Sequence, residues 1–214
     1  MKYVLIIIWV FCALNAAPAM AETEVSLVDI KVTDALDPSQ ERCGQGVIID
    51  SSGIIATSKH IIGDTPEHIY VVLAGGKTFE ASIVRNSDVD LTLVKINAPF
   101  LLRPVSLGDS SNVHIGNHVF AVANAASSLE RKHSGEVIKV YDEESVDAGK
   151  ILEMNIHLKP GDSGGPILNE DGLLLGLIMA SQKSDPGKSY AIASGKIQQE
   201  YYASRNSVLI SSLR

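Results

Sequence analysis

The chain has 214 residues and is acidic, with 25 Asp and Glu against 18 Lys and Arg and a formal net charge of −7. Hydrophobic residues make up 45% of the sequence, which is typical of a globular protein that buries a core. The acidic balance, with no run of basic residues anywhere, argues against nucleic acid as a partner.

The N-terminus has the three parts of a secretory signal. Lys2 supplies a positive charge, residues 4–14 are apolar, and Ala19-Met20-Ala21 forms the small-x-small pattern that precedes a cleavage site. The alternative is an uncleaved anchor, but Asn15 interrupts the apolar stretch well short of the ~20 residues that a span requires. We expect residues 1–21 to be removed on export across a membrane, to the periplasm or outside the cell, with no stable membrane insertion afterwards.

The two cysteines fall on either side of that cleavage site. Cys12 belongs to the signal, so Cys43 is the single cysteine of the mature chain, which cannot form an internal disulfide. We expect Cys43 to be a small buried hydrophobic residue, with an intermolecular bridge or a reactive thiol as the alternatives.

The first half of the mature chain consists of short runs rich in Val, Ile and Leu, each bounded by turn residues. Such runs predict β-strands. The segments 50–53 and 74–77 contain glycine, which supplies the positive φ of tight turns, so we predict hairpin connections there. The predicted strands lie at 25–32, 46–49, 54–57, 69–73, 78–84 and 91–96.

A second set of strands follows a break at Asn97-Ala98-Pro99, and two similar halves predict two packed barrels. One long helix is predicted at the end, over 195–203, with Ser194 as its N-cap and with Ile197 and Tyr201 on one face. The strands of the second half are predicted at 119–123, 136–140, 151–156, 166–168, 173–179 and 190–193.

The segment Gly-Asp-Ser-Gly-Gly-Pro at 161–166 indicates a nucleophilic serine. A tight turn exposes the Ser163 hydroxyl, and its glycines let backbone N–H groups face the oxygen that becomes charged in acyl transfer. The same letters fit the Gly-x-Ser-x-Gly elbow of α/β-hydrolases, but that fold needs its histidine after the serine. The last histidine here is His157, so the chain order is instead that of chymotrypsin-type barrels.

Among the six histidines, His60 is the predicted general base. It follows the end of an apolar strand, where small polar residues precede it. His114 and His118 share the i, i+4 spacing of a metal-binding pair, but no third ligand stands at a recognisable spacing. We therefore expect neither a metal nor a cofactor.

The predicted acid is Asp90, because it opens the alternating strand that runs to Ile96 and can sit at the edge of a barrel. Asp88 is the rival candidate, and its position predicts a solvated loop carboxylate.

Beyond these residues, several segments resemble the trypsin-like peptidases of the HtrA/Deg type. The similar segments are 44–50, 53–57, 90–96, 107–110, 134–137, 160–166 and 190–194. The resemblance implies an all-β fold of two packed six-stranded antiparallel barrels, at about 25–100 and 105–193, and a short closing helix at about 195–204. It assigns the whole of 22–214 to one peptidase domain.

The resemblance also implies a serine endopeptidase acting in protein quality control, with protein or peptide substrates and with trimers as the assembly of many relatives. Ser163 would be the nucleophile, His60 the base and Asp90 the residue that orients it. The backbone N–H groups of Gly161 and Ser163 are expected to form the oxyanion hole.

By the same resemblance, the primary specificity pocket is walled by His157 and Leu158 and by the strand segment Ile178-Met179-Ala180. These walls lack a carboxylate, so we expect a small or medium apolar side chain in the pocket, with recognition of an acidic group by His157 as the alternative.

The sequence departs from the family in three places. We expect no PDZ domain after Arg214, Asp162 stands where the family generally has Asn, and Asn124-Ala125 replaces Asn-Pro. Two other functions remain open: a catalytically silent chaperone or binding module on the same fold, and hydrolysis of small esters.

Overall fold

The computed structural model describes residues 26–37, 39, 41–123, 131–142, 149–182 and 185–212, and for 123, 131, 180–182, 186 and 207–212 it describes the backbone alone. The predicted signal at 1–21 and the Asn124-Ala125 segment lie outside the described residues.

The first six strands close into an antiparallel barrel. Around the barrel they follow the order β1-β2-β3-β6-β5-β4. Strand β1 alternates as its sequence predicts, with Val28, Ile30 and Val32 fully buried in the interior. The strands are β1 Leu27–Asp34, β2 Glu41–Asp50, β3 Ile54–Thr57, β4 Pro66–Leu73, β5 Thr78–Asn86 and β6 Thr92–Ile96.

The remaining six strands close into a second antiparallel barrel in the order β10-β11-β12-β9-β8-β7. Its interior is filled by a separate cluster that includes Val119, Leu152, Met154 and Ile167. The strands are β7 His118–Ala123, β8 Arg131–Tyr141, β9 Ile151–Met154, β10 Pro166–Leu168, β11 Leu174–Gln182 and β12 Asp185–Ala193. The prediction of two six-stranded antiparallel barrels is confirmed.

A third apolar cluster lies at the seam between the two barrels. Leu27 and Leu93 from the first barrel meet Leu168 and Ile192 from the second, and each of the four is at most 1% exposed. Burying apolar side chains on both outer faces fixes how the barrels pack, and so fixes the position of any site that draws residues from each.

The two predicted hairpin connections are confirmed. Residues 51–53 join β2 to β3, where Gly53 has φ 105° and donates to the Asp50 carbonyl over 3.0 Å. Gly75 and Gly76, with φ 88° and 84°, lie between β4 and β5. Only glycine adopts such angles without strain, which explains why the composition of the turns was informative.

The C-terminal helix α2 spans Ser194–Ser212, so it starts one residue before the predicted range and continues nine residues beyond it. The predicted N-cap role of Ser194 is wrong, because the helix already includes this residue, and its hydroxyl donates to the Gly108 carbonyl over 2.7 Å. Instead the Ser110 hydroxyl accepts from the N–H of Gly195 at 2.9 Å. Among the described residues, no helix is both long and apolar enough to cross a bilayer.

Cys43 is exposed on β2, so the prediction of a buried residue is wrong. It pairs with Lys31 on the outer face of the barrel, and its thiol donates to Glu41 over 3.1 Å. The next residue, Gly44, takes the inward position. Burial of part of the thiol and the neighbouring Glu41 carboxylate raise the pKa of Cys43, which disfavours the reactive thiolate.

Candidate active site

His60 and Asp90 contact each other at one end of the first barrel. His60 lies in the one-turn helix α1, Lys59–Ile62, directly after β3, and Asp90 lies just before β6. Because β3 and β6 are antiparallel, with Thr57 opposite Thr92, the residues after one strand lie beside the residues before the other. This pairing brings two side chains together that are 30 residues apart.

The Asp90 carboxylate holds His60 at two points. Its Oδ1 accepts the backbone N–H of His60 at 2.8 Å, and its Oδ2 lies 2.8 Å from the ring Nδ1. A carboxylate at Nδ1 favours the tautomer with the proton on that nitrogen, which leaves Nε2 as an acceptor. The hydrogen bond to Asp90 raises the pKa of His60, and partial burial opposes that rise.

A second contact fixes helix α1 from its other end. Arg42 donates from Nε to the Ile61 carbonyl over 3.0 Å and from Nη2 to the Ile62 carbonyl over 2.8 Å. Its Nη1 lies 2.7 Å from Asp34 Oδ2, and this guanidinium holds the pKa of Asp34 down at about 2. Arg42 thus satisfies carbonyls that a short helix leaves unpaired and limits the movement of the turn that carries His60.

Ser163 lies in a loop that is held by hydrogen bonds among its own residues, 159–165. The N–H of Asp162 donates to the Lys159 carbonyl over 3.1 Å, and the N–H of Gly165 donates to the Asp162 carbonyl over 3.0 Å. Asp162 is only 1% exposed, and its carboxylate accepts the N–H of Lys159 at 2.7 Å. Three bonds within seven residues make this loop a defined structure rather than a loose connection.

The loop is fastened to the first barrel through Gln45 on β2. The N–H of Gln45 donates to the Ser163 carbonyl over 2.8 Å. The Gln45 carbonyl in turn accepts the Thr57 hydroxyl at 2.7 Å. This backbone hydrogen bond between the barrels fixes the position of Ser163 relative to Thr57 at the end of β3.

One carbonyl on β11 joins the neighbourhood of the histidine to that of the serine. The Ile178 oxygen accepts the Ser58 hydroxyl at 2.7 Å and the N–H of Gly164 at 2.8 Å. Ser58 is two residues before His60, and Gly164 directly follows Ser163. The shared carbonyl therefore brings the segments that carry His60 and Ser163 to the same end of the seam. The Ser163 hydroxyl itself donates to the Met179 carbonyl over a long 3.4 Å.

Two backbone N–H groups beside the Ser163 hydroxyl have no acceptor among the described residues. Within the part of the chain that the structure describes, the N–H groups of Gly161 and Ser163 donate to no acceptor. Gly161 has φ 96°, an angle that favours glycine and that sets the direction of the following peptide. Paired N–H groups at a turn are suited to binding an oxyanion.

The residues predicted to form a specificity pocket differ in exposure. Leu158 and Ile178 are buried in the core cluster of the second barrel, at 5% and 1% exposure, whereas Met179 is half-buried and His157 is exposed. The structure brings Ile178 and Met179 to the serine loop through their carbonyls. The side chain of Ala180 lies outside the described residues.

The two histidines with the spacing of a metal-binding pair lie at or just before the start of β7. His114 precedes β7 and contacts the Asn112 carbonyl at 2.9 Å, whereas His118 begins β7 and lies 3.8 Å from Glu136. No group of three or more His, Cys, Asp or Glu side chains that could hold a metal ion occurs in the described ranges.

Sequence reasoning missed Arg42, Gln45 and Ser58 as residues that support the site. Gln45 stands between two glycines, Gly44 and Gly46, and this pattern of a single large residue in a close backbone approach was the available signal. Arg42 and Ser58 gave no such signal, because their contacts depend on residues distant in the chain.

Two packed six-stranded antiparallel barrels, with a His60–Asp90 contact in the first and a Gly-Asp-Ser-Gly-Gly loop of the second bonded to it, are typical of the chymotrypsin-fold class of serine peptidases. The family described as the trypsin-like peptidase domain matches residues 44–177, and the chain belongs to that family. The resemblance to HtrA/Deg-type peptidases is confirmed by the relatives.

Three curated relatives carry protease names of this type. The chain is 31% identical over 150 residues to the serine endoprotease DegS of Escherichia coli K12, covering 68% of this chain and 42% of that protein. It is 31% identical over 141 residues to protease Do-like 1, chloroplastic, of Arabidopsis thaliana, covering 63% and 32%. It is 28% identical over 169 residues to the serine protease Do-like HtrA of Lactobacillus helveticus, covering 72% and 41%.

The matched segment spans less than half the length of each of these relatives. Among solved structures, an HtrA-type protease with a tripeptide superposes with a TM-score of 0.74, at 21% identity, over 86% of this chain and 61% of that one. The superposition supports the fold.

Proposed function

We propose that the protein is a serine endopeptidase in which Ser163 is the nucleophile, His60 the general base and Asp90 the residue that orients the histidine. The observation that carries the proposal is the double contact of Asp90 with His60, in the barrel to which the Gly-Asp-Ser-Gly-Gly loop of the other barrel is bonded through Gln45 on β2. A hydroxyl is a weak nucleophile unless a base takes its proton, and Nε2 of His60 is the base that we propose for Ser163.

The reaction follows from the roles of these groups. Ser163 Oγ attacks the carbonyl carbon of a peptide, and its proton passes to Nε2 of His60. The protonated imidazole gives that proton to the leaving amine as the C–N bond breaks, and an acyl-enzyme remains. Water then attacks the ester with His60 again as base, and the second product leaves as a carboxylate.

The serine must turn before it can react. Its hydroxyl contacts the Met179 carbonyl at 3.4 Å, close to the limit for a hydrogen bond, so little free energy opposes a rotation about Cα–Cβ. Catalytic hydrogen bonds are often long or misaligned in unliganded proteins and tighten when substrate binds. We assign that rotation to substrate binding.

The free N–H groups of Gly161 and Ser163 form the proposed oxyanion hole. As the carbonyl becomes tetrahedral, its oxygen gains charge, and fixed donors stabilise that charge without reorganisation. Each such donor lowers the barrier by on the order of 3 kcal/mol.

The proposed specificity is for a small or medium apolar side chain. Leu158, Ile178 and Met179 are apolar, and none of the predicted pocket residues is acidic, so a lysine or arginine of the substrate would have no partner there. The exposed His157 is the one polar wall. Cleavage-site profiling on an unstructured protein tests this, and a dominant preference for basic or acidic residues would contradict it.

The proposed substrates are proteins or peptides met after export, in a quality-control role. The N-terminal sequence supports export, and the net charge of −7 argues against nucleic acid. Assembly into trimers is proposed by similarity to the family, and sedimentation of the purified protein measures it.

The decisive experiment is labelling of the exported protein with a fluorophosphonate. We expect wild type and Ser111→Ala, which removes an exposed serine that contacts Asp109, to label equally. Ser163→Ala should fold with an unchanged urea midpoint and not label. Labelling of Ser163→Ala would contradict the nucleophile assignment.

Turnover separates the remaining functions. An endopeptidase cleaves casein in a Ser163-dependent way, whereas an esterase acts on a short-chain ester and leaves casein intact. A folded wild type that neither labels nor cleaves either substrate would instead indicate a silent chaperone or binding module.

A further inference from the structure

Helix α2 carries a buried ion pair that the proposed mechanism does not use. Lys196 and Glu200 are 3% and 4% exposed, one helical turn apart, with Nζ 3.1 Å from Oε1. Burying a charge costs free energy unless partners compensate, so such residues are rarely placed in a core without several contacts.

Both members of this pair have partners in the first barrel and the loop that follows β5. Glu200 accepts from Arg85 Nε at 2.6 Å, and its Oε1 lies 3.0 Å from the Ser87 hydroxyl, which shares its one proton between Glu200 and Asp88 Oδ1 at 2.9 Å. Lys196 lies 3.2 Å from Asp88, the rival of Asp90 as candidate catalytic acid. Helix α2 is therefore bonded to the segment that leads from β5 to Asp90.

Ser87 is the centre of that segment. Its N–H donates to the Leu91 carbonyl over 3.0 Å, which closes the loop around Asp90. Its carbonyl accepts from Lys59 Nζ at 3.1 Å, and Lys59 directly precedes His60. Ser87 is thus bonded to Lys59, the residue before His60, and to Leu91, the residue after Asp90.

We propose that Glu200 and Lys196 are positioning residues, which hold Ser87 and Asp88 so that Asp90 stays in contact with His60. This inference rests on the proposed function for its effect on catalysis, but not for its effect on the histidine itself. The bonds run from Glu200 to Ser87, from Ser87 to Lys59 and Leu91, and from those residues to their chain neighbours.

A purely structural anchor would have a different signature. If the pair only docks helix α2, its loss lowers the free energy of unfolding while the folded molecules keep their rate constant and their pH profile. If the pair positions Asp90, the folded molecules themselves lose rate, because a misplacement of about 1 Å at a catalytic group costs up to about 100-fold.

A matched control exists in the second barrel. Glu153 is also buried, at 5% exposure, and has one cation and a hydroxyl as partners, where Glu200 has two cations and a hydroxyl: Lys188 lies at 3.5 Å and the Tyr141 hydroxyl at 2.6 Å. Glu200→Gln and Glu153→Gln are therefore the same chemical change in similar surroundings. The hydrogen bonds that lead through Ser87 to the neighbours of His60 and Asp90 start from Glu200.

We expect Glu200→Gln to lower kcat about 10- to 100-fold in folded protein, with KM changed less, and to move the acidic limb of the rate profile to lower pH. Ser87→Ala, which removes one hydroxyl and no charge, should do the same to a smaller extent and serves if Glu200→Gln folds poorly. Glu153→Gln should keep both kcat and the profile.

A second readout does not depend on turnover. In the Ser163→Ala background, the His60 ring protons are titrated by NMR with and without Glu200→Gln, Ser87→Ala or Glu153→Gln. The charged groups to consider are Asp90, which contacts the ring, and Lys59, whose ammonium is bonded to Ser87. We expect the titration midpoint of His60 to fall with Glu200→Gln and Ser87→Ala alone.

The results separate the two proposals. A protein that fails to label at Ser163 contradicts the proposed function, and the titration still decides the positioning role. An unmoved His60 midpoint in both Glu200→Gln and Ser87→Ala, with kcat as in Glu153→Gln, would overturn the positioning role and leave the peptidase assignment intact.

Discussion

A Cβ atom placed on Gly164 would stand 1.9 Å from the backbone oxygen of Gln45. No pair of non-bonded atoms approaches so closely, so the residue after the proposed nucleophile must be glycine for the serine loop to reach the first barrel. The same glycine has φ 81°, a second reason that excludes a side chain. The glycine after Ser163 is therefore required for the contact between the serine loop and the first barrel, in addition to any role of the motif in catalysis.

Gly164→Ala should destabilise the fold by about 3–5 kcal/mol, because a clash with backbone adds to the cost of a positive φ. Gly75→Ala is the control: Gly75 has φ 88°, and a Cβ added there would meet nothing within 4 Å, so we expect a loss of only about 1–2 kcal/mol. Urea unfolding of the two variants measures the difference. Equal losses would mean that the close approach to Gln45 carries no weight.

The pH dependence of kcat/KM should report His60. Its pKa is raised above the ordinary value of 6.5 by Asp90, and a general base works only in its neutral form. Activity should therefore fall as the pH falls through a midpoint above 6.5. A midpoint below that value would contradict the hydrogen bond at Nδ1 as the dominant influence.

Asp90→Asn should lower kcat by a factor of about 10⁴, because the amide no longer favours the productive tautomer. Asp88→Asn is the paired control, since Asp88 lies on Lys196 rather than on His60, and we expect a far smaller loss. A similar loss in both variants would assign the effect to the loop rather than to the Asp90 carboxylate. The midpoint of His60 should move much further to lower pH in Asp90→Asn than in Asp88→Asn.

The barrels could be predicted because their strands alternate or run apolar between glycine-bearing turns. Each of the twelve predicted strands overlaps an observed one. The errors lie at polar ends: β2 begins at Glu41 and β8 at Arg131, well before their apolar runs. Strand pairing with a neighbour extends these ends, and hydrophobic pattern does not record such pairing.

The helix and the supporting contacts were harder to predict for the same reason. Lys196 and Glu200 look like surface charges of an amphipathic helix, and both are buried by partners from β5 and the following loop. Cys43 was expected inside because cysteine is usually buried, whereas its register with Lys31 sets it outside. Long-range register decides these positions.

Asp162→Asn should keep kcat within about 3-fold and Asp162→Ala should lower it about 10- to 100-fold. The buried carboxylate accepts the N–H of Lys159, a bond that an amide oxygen reproduces and a methyl group does not. Leaving that N–H unpaired should also cost about 1–3 kcal/mol of stability. If Asn proves as inactive as Ala, the loop depends on the charge of Asp162 rather than on its hydrogen bond.

Asp34→Asn should weaken the fold at neutral pH and cease to matter in strong acid. Arg42 holds the pKa of Asp34 at about 2, below its ordinary value of 3.8, so the ionised carboxylate is favoured in the folded state. A lowered pKa contributes stability that is complete above the unfolded value and is lost as the pH falls through the folded value. The contribution should therefore disappear between about pH 4 and about pH 2.

The measurement is the urea midpoint of wild type and of Asp34→Asn at several pH values across that window. The difference between the two proteins gives the contribution of the Asp34 carboxylate, because all other groups titrate alike in both. We expect the difference between them to shrink steadily towards pH 2. Since Arg42 also donates to the carbonyls of Ile61 and Ile62, Arg42→Ala should show a further loss that persists in acid. A pH-independent difference for Asp34→Asn would mean that the ion pair does not stabilise the turn that carries His60.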